Sequence, residues 1–419
     1  MTQVAIDAAW YTGDVLSAAL LATPGLGQVM SALGCPGEDT AFLVGGAVRN
    51  GLLGQAAGDI DLATPLLPKE VVRRVEAAGL RAVLTGLQHG TITAVAEGNG
   101  YEVTTFRSDV ETDGRRATVS FDADLVSDAS RRDFTINALY ADARGRVIDP
   151  LGGIGDLRAR RVRFIGRPED RIREDYLRIL RFFRFHAWYA DPAGGIDAEA
   201  LAASAEEADG IDGLARERIG HEFRRLLSAP DPAPAVAAMQ SAGILTRCLP
   251  GATAATLAPL VHLEAECAVG ADWRTRLSAI LPADDPDSAA EALRLSRVER
   301  RRLAAIHSAR RALSEGTTAG AIAYRHGAEV TWAAILIEAS LTGWQDRPPT
   351  PSDAARAIQR GAAAKLPITA KDIERIGIAP GPALGHALAA AETAFIESGF
   401  TLDKAALLSH LRAEISQND

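Results

Sequence analysis

Cysteine is scarce in this sequence: Cys35, Cys248 and Cys267 stand far apart, with no CxxC spacing. That excludes a disulfide framework and a structural zinc site, and leaves buried free thiols as the expectation. Long apolar runs are missing too, with nothing near the roughly 18 uncharged residues that a membrane-spanning helix needs. The first residues, Met1-Thr-Gln-Val-Ala-Ile-Asp, lack the basic opening and apolar stretch of a secretory signal. A soluble cytoplasmic protein is expected. There is no fixed-period repeat and no low-complexity tract. Aromatics make up only 5% of the chain, yet 47% of its 419 residues are hydrophobic, enough to bury the cores of two or three domains. Positive charge is not in excess either, and a formal net charge of −9 argues against a protein that coats nucleic acid indiscriminately. Locally the sign reverses. Between Arg158 and Arg184 ten arginines stand against four acids, Glu169, Asp170, Glu174 and Asp175, which concentrates phosphate binding in one zone.

Residues 7 to 34 read as helical, interrupted at Pro24-Gly25. From Ala41 the texture changes to short apolar runs punctuated by glycine. Strands are expected at Phe42-Leu-Val-Gly, Ile60-Asp-Leu-Ala, 81–84, 91–96 and 101–106, with helices at 46–53 and, opened by a proline, at 68–78. In the 91–96 strand Thr91, Thr93 and Val95 share one face and Ile92, Ala94 and Ala96 the other. The charged, glycine-bearing stretch within 107–130 reads as a mobile loop. Beyond Asp149-Pro-Leu-Gly-Gly the chain is helical almost to its end, with proline-rich breaks at Pro230-Asp-Pro-Ala-Pro, 282–286 and Pro348-Pro-Thr-Pro.

Three constellations carry chemistry. The first is Leu43-Val-Gly-Gly-Ala-Val-Arg followed by Gly58-Asp-Ile-Asp-Leu. On a strand Asp59 and Asp61 project to one side, where two carboxylates can jointly hold a divalent metal. Gly45 and Gly46 let the backbone approach an anion, and Arg49 can grip a phosphate. Glu102, an acid in the apolar strand Tyr101-Glu-Val-Thr-Thr-Phe, is the candidate third carboxylate, since an unpaired charge there is costly. An ordinary turn followed by a strand end, with Glu102 on a surface edge, fits the same residues. Paired metals suit an attacking hydroxyl and a departing pyrophosphate, which describes nucleotidyl transfer better than hydrolysis, because no other group here looks like a general base.

The second is Ser130-Arg-Arg-Asp-Phe-Thr-Ile-Asn-Ala. Arg131 and Arg132 at the mouth of a helix would suit a triphosphate, with Asp133 accepting backbone N–H groups and Asn137 one turn on; a capped helix with a solvated arginine pair is the alternative. The third is a continuous helix through 171–185, with Ile172, Tyr176, Ile179, Leu180 and Phe183 on its apolar face and Arg178, Arg181 and Arg184 on the other. Asp175 and Arg178, at i and i+3, set an acceptor beside a donor. That pair could accept cytosine and adenine and refuse uracil and guanine, or it could be a plain intrahelical ion pair. Among further features, His89 faces a cleft or sits in a turn; Phe182, Phe183, Phe185, Trp188 and Tyr189 stack on bases or fill a core. Arg300, Arg301, Arg302, Arg310 and Arg311 touch a nucleic-acid backbone or lie on solvated helix faces.

Five motifs in order, Gly45-Gly-Ala-Val-Arg with Asp59-Ile-Asp, Arg131-Arg-Asp-Phe-Thr-Ile-Asn-Ala, Asp149-Pro-Leu-Gly-Gly-Ile-Gly-Asp-Leu, Glu174-Asp-Tyr-Leu-Arg-Ile-Leu-Arg and Arg216-Glu-Arg-Ile-Gly-His-Glu, resemble those of bacterial CCA-adding tRNA nucleotidyltransferases and their poly(A) polymerase relatives. The resemblance covers about 41–227. It implies an α+β protein: a nucleotidyltransferase head of the DNA polymerase beta superfamily with a mixed sheet at 1–148, a helical neck for base recognition at 149–230, and a helical body and tail that bind tRNA at 231–419. It further implies template-free addition of C, C and A to tRNA 3′ ends from CTP and ATP, with release of pyrophosphate; a poly(A) polymerase or A-adding enzyme is the alternative. By the same resemblance Asp59 and Asp61 would hold magnesium, and Gly46, Arg49 and Arg132 would contact the nucleotide. Asp175 and Arg178 would template the base, with Arg181 and Arg184 completing the basic face. The 107–116 segment resembles the family's flexible loop, implicated in the switch from C to A addition. Two positions depart from the family pattern: Asn50 stands where an aspartate is common, and Arg115-Arg-Ala lacks a common proline. No His-Asp cluster marks an appended phosphohydrolase in the C-terminal half, so phosphatase activity is not expected.

Overall fold

The computed structural model describes residues 6–34, 40–86, 90–113, 116–120, 124–282, 286–342 and 351–418. Two compact units emerge: Met1–Glu222 with Pro234–Arg247, and Phe223–Ala233 with Cys248–Asp419. In the first unit, ten strands are β1 (Tyr11–Val15), β2 (Phe42–Val44), β3 (Asp61–Thr64), β4 (Arg81–Gly86), β5 (Thr91–Ala96), β6 (Asn99–Thr105), β7 (Ser108–Asp113), β8 (Arg116–Ser120), β9 (Tyr140–Ala141) and β10 (Arg146–Ile148). Eight of them form one sheet in the order β1-β10-β9-β2-β3-β6-β5-β4. The sheet is mixed: β3 runs parallel to β6, and β2 antiparallel to both β3 and β9. The alternation expected for β5 holds, with Ile92, Ala94 and Ala96 buried and their neighbours half-buried. Phe42, Val44, Phe106, Tyr140 and Ile148 share one apolar cluster, which fixes the central strands against the Leu125–Ser130 helix. Beyond β10 the described elements are all helices.

Three expectations are corrected. Residues 7 to 34 are not all helical: β1 lies at the sheet edge, pairing Tyr11 with Ile148 and Val15 with Arg146, around an irregularity in which Gly13 adopts a φ of +81°. A partner strand more than a hundred residues away supplies those hydrogen bonds, and it overrides a helix-like local spacing. In the segment expected as a loop, β7 and β8 pair as a two-stranded sheet and Leu125–Ser130 is a helix; residues 114–115 and 121–123 lie outside the described residues. The neck helix is broken. One helix spans Pro168–Glu174 and the next Leu177–Tyr189, with Asp175 extended between them at φ −154°, ψ 103°. There the Asp175 carboxylate accepts the Leu177 N–H at 3.1 Å and its carbonyl accepts the Arg178 N–H at 2.9 Å, starting the second helix anew. Gly210 seats the break. A β-carbon on Gly210 would lie 1.9 Å from Cδ1 of Tyr176, so the backbone presses directly on that ring.

In the second unit the 297–314 helix opens with a capping box between Ser296 and Glu299. Its arginines divide: Arg310 is buried and paired with Glu338 at 2.9 Å, Arg302 pairs with Glu329 at 3.0 Å, and Arg301 and Arg311 are exposed. The expectation of one exposed basic set therefore fails at Arg310. Cys248 is buried and Cys267 half-buried, neither of them in a disulfide, while Cys35 and His89 lie outside the described residues. Among the described residues no helix is long and apolar enough to cross a membrane.

Candidate active site

Strand β2, buried at every position, delivers the chain into Gly45, whose φ of +65° favours glycine. The helix Gly46–Leu52 follows. Two guanidinium groups flank this turn: a β-carbon on Gly45 would lie 3.5 Å from Nη1 of Arg132, and one on Gly46 would lie 3.7 Å from Nη2 of Arg49. Glycine is thus favoured at the first position by backbone angle, while at either position a β-carbon would make only ordinary van der Waals contact with the guanidinium.

The carboxylates stand next to this turn. Asp61, the first residue of β3, is in register with Val44 of β2 on one side and Glu102 of β6 on the other. Asp59 precedes β3 in a bend, and Asp59 and Asp61 are exposed while Ile60 between them is buried, so the same-side expectation holds in solvent exposure. Glu102 is exposed beside Asp61 rather than at the sheet edge. Desolvation first, then the Glu102 carboxylate and more weakly Asp59, push the Asp61 carboxyl up to about 6, against the pull of Arg132. Among the described residues no three acidic, histidine or cysteine side chains form a ready cation cage. The concentration of negative charge around Asp61 nonetheless fits a divalent cation, which relieves that repulsion. The sign follows. A carboxyl raised above its unfolded value of 3.8 costs stability as pH rises from about 4 through 6. A carboxyl-carbon NMR titration of cation-free protein should place Asp61 near 6, and a saturating divalent cation should shift its midpoint downward; a midpoint near 4 that ignores the cation would remove Asp61 as a ligand.

Arg131 and Arg132 do not open a helix, contrary to expectation: Arg131 ends the Leu125–Ser130 helix as its C-cap, and only a short turn, Thr135–Asn137, follows. Asp128, buried one turn earlier, holds both arginines, Arg131 at 2.7 Å and Arg132 at 3.0 Å, and accepts the Tyr140 hydroxyl at 2.7 Å. These partners keep Arg132 firmly charged. Its Nη1 makes no hydrogen bond among the described residues and faces Gly45. Arg49 is different. It is buried, donating to the Asn50 side chain at 3.0 and 3.1 Å, to Asn137 Oδ1 and to the Tyr189 hydroxyl at 2.8 Å, with its guanidinium 4.0 Å from the Tyr189 ring centre. The neutral amide of Asn50 therefore orients Arg49 without a carboxylate. Asn137 also donates to Asp133, as its spacing suggested.

On the neck, Asp175 and Arg178 are not paired with each other. The helix break turns Asp175 toward Arg218, at 2.7 Å, while Arg178 binds Glu174 at 2.5 Å and the carbonyls of Arg171 and Arg131. Arg181 holds Asp133 at 2.7 Å, and that charge keeps the buried Asp133 carboxyl below the usual carboxylate range despite its desolvation. Arg184 does not join an exposed basic face: it is buried, paired with Glu222 and stacked 4.4 Å from the Phe185 ring centre. Three residues on from Arg181 the helix has turned about 60°, toward the side where Phe182, Phe183 and Phe185 are also buried. Arg218, Asp128 and Tyr189's tie to Arg49 were not foreseen. Asp128 had a usable signal, an acid four residues before Arg132; Arg218 had none beyond its motif.

A glycine turn between arginines beside in-register carboxylates, on a mixed sheet joined to helices, defines a polymerase beta-like nucleotidyltransferase head. Residues 41–163 match the poly A polymerase head domain family, and 195–256 a probable RNA and SrmB-binding site of polymerase A. The mouse mitochondrial CCA tRNA nucleotidyltransferase 1 is 44% identical over 187 residues, 44% of this chain and 43% of that protein. The CCA-adding enzyme of Geobacillus kaustophilus is 38% identical over 216 residues, 51% of this chain and 52% of its own. The chain thus matches about half the length of these relatives. The Bacillus stearothermophilus CCA-adding enzyme, solved in complex with CTP, superposes with a TM-score of 0.72 at 27% identity, covering 94% of this chain and 97% of that one. The Thermotoga maritima enzyme complexed with tRNA shares the fold at a TM-score of 0.70 and 18% identity, covering 96% and 100%. Over these matched stretches the chain is similar to the CCA-adding tRNA nucleotidyltransferases and poly(A) polymerases.

Proposed function

We propose that this chain adds C, C and A to tRNA 3′ ends from CTP and ATP without a nucleic-acid template, in the cytoplasm. The observation that carries the reading is Asp61 in register with Glu102, next to a glycine turn flanked by Arg49 and Arg132. In this reading the terminal ribose hydroxyl loses its proton and bonds to the α-phosphorus; the bond from that phosphorus to the bridging oxygen breaks, and pyrophosphate leaves with both electrons. Asp59 and Asp61 would hold a divalent cation, magnesium here, which when bound neutralises phosphate charge and favours the ionised hydroxyl. Glu102 adds to the field that draws the cation in. Arg132, fixed by Asp128 and Tyr140 with one N–H edge open toward Gly45, binds phosphate oxygens, and Gly45 and Gly46 leave room for them. Arg49 keeps the turn in shape from behind.

For base choice, Asp175 would accept the exocyclic amine of C or A and Arg178 would donate to the neighbouring ring nitrogen, exchanging Arg218 and Glu174 for the base. Arg181 holds the helix to Asp133, and Arg184 acts through packing. The relatives' solved complexes with CTP and with tRNA support the substrate class. Purified protein given tRNA lacking its CCA end, with CTP and ATP singly and together, should complete the end only with both. ATP incorporation into generic RNA ends with CTP ignored would make it a poly(A) polymerase. In the same assay Asp175→Ala should relax discrimination against UTP and GTP by about tenfold, the worth of one bidentate base contact. Unchanged selectivity would leave Asp175 a plain partner of Arg218.

A further inference from the structure

Arg49 is buried beside the glycine turn, and four of its five N–H donors go to protein acceptors. Such a group helps set where the turn lies. Three of its four hydrogen bonds go to the head, two to Asn50 and one to Asn137, but the fourth goes to Tyr189, the last residue of the neck helix Leu177–Tyr189, whose other end begins two residues after Asp175. Through Asn137 and Asp133 the network returns to the same helix at Arg181. The glycine turn is therefore tied to the base-reading helix at two points, a turn and a half or more apart, by hydrogen bonds to charged groups.

We propose that Tyr189 is a positioning residue for the transfer reaction: its hydroxyl and ring hold Arg49, and through Arg49 the Gly45-Gly46 turn, at a fixed offset from the helix that reads the base. This rests on the transferase reading above. Tyr189 supplies a planar face 4.0 Å from the guanidinium and an acceptor 2.8 Å from Nη2, so removing the hydroxyl alone frees one edge of Arg49 while the packing stays. The consequence falls on the alignment of the triphosphate against the attacking hydroxyl, and so on turnover more than on nucleotide affinity.

The test is steady-state kinetics of CTP addition to tRNA lacking its CCA end, with wild type, Tyr189→Phe, and Tyr189→Phe combined with Asn50→Asp. Tyr189→Phe should lower kcat about tenfold, the scale of one hydrogen bond to a charged group, with KM for CTP changed less than about twofold and the melting temperature unmoved. Adding Asn50→Asp gives Nη2 a charged acceptor in place of the lost hydroxyl and should restore at least about a third of the turnover. Unchanged kcat in Tyr189→Phe overturns the proposal, as does a loss carried wholly by KM or one that Asn50→Asp leaves untouched. A wild type that does not extend the tRNA sinks the transferase reading and this proposal with it. A wild type that turns over beside an unaffected Tyr189→Phe sinks the positioning role alone.

Discussion

Replacing Asp59 and Asp61 together with alanine should reduce nucleotide incorporation by at least about 10³-fold, since losing cation-assisted charge stabilisation costs several kcal/mol and each 1.36 kcal/mol is tenfold. Binding of tRNA, measured by gel shift, should be nearly unchanged, because neither side chain supports the fold: both are exposed, one in a bend and one at the mouth of β3. Relief of repulsion around Asp61, whose carboxyl sits near 6, should even raise the melting temperature slightly at pH 8. Residual turnover within about tenfold of wild type would show that these carboxylates are not the reaction centre. A catalytically silent RNA-binding relative would bind tRNA equally well with or without them, so the two assays together separate that alternative.

The largest stability effect is expected in the second unit, at Arg276. This guanidinium is 2% exposed and donates to the buried Glu264 at 2.8 and 3.0 Å, to Leu227 and Pro230 carbonyls at 2.8 and 3.2 Å, and to the Ala229 carbonyl. It thereby closes the end of the helix that finishes at Leu227, whose last carbonyls have no partner within the helix. Arg276→Ala should cost roughly 3–5 kcal/mol in urea unfolding, because it strands a buried carboxylate and several carbonyls at once. The deficit should shrink as the pH is lowered. Burial already pushes the Glu264 carboxyl up despite Arg276, so protonation removes the stranded charge in the variant at mildly acidic pH. A cost under about 1 kcal/mol, or one independent of pH, would mean that water reaches the site.

Much of the chemical half of the site could be read from the chain because its signals are local. A glycine pair, an Asp-x-Asp and an acid in an apolar strand each depend on neighbours a few residues away, and Glu102, offered as the third carboxylate, stands in register with Asp61. Two of the failures share a cause: β1 and the burial of Arg184 depend on partners distant in sequence, Ile148 and Glu222. The β7-β8 pair is local, and its charged, glycine-bearing sequence hid the strands. The neck showed a continuous apolar periodicity that no hydrophobic count could have broken, since Ile172, Ile179, Leu180 and Phe183 are all buried as expected. What broke it was Asp175 bonding its own following backbone and a glycine from a later turn pressing on Tyr176. Arg49 stands beside the turn as expected, and its ties to Asn137 and Tyr189 were not legible, because a guanidinium's partners cannot be inferred from its position alone.

That pressing glycine places an unusual constraint on how the sequence can drift. Gly210 has no side chain, touches no substrate in any reading of the reaction, and has a φ outside the left-handed region, so the backbone itself would tolerate alanine. The obstacle is volume alone: one methyl group would have to evict the ring of the residue adjoining Asp175. Under the proposal that Asp175 reads the base, nucleotide preference is exposed to mutations of size as well as of charge, and a lineage could alter which base it admits without changing a single polar atom around it.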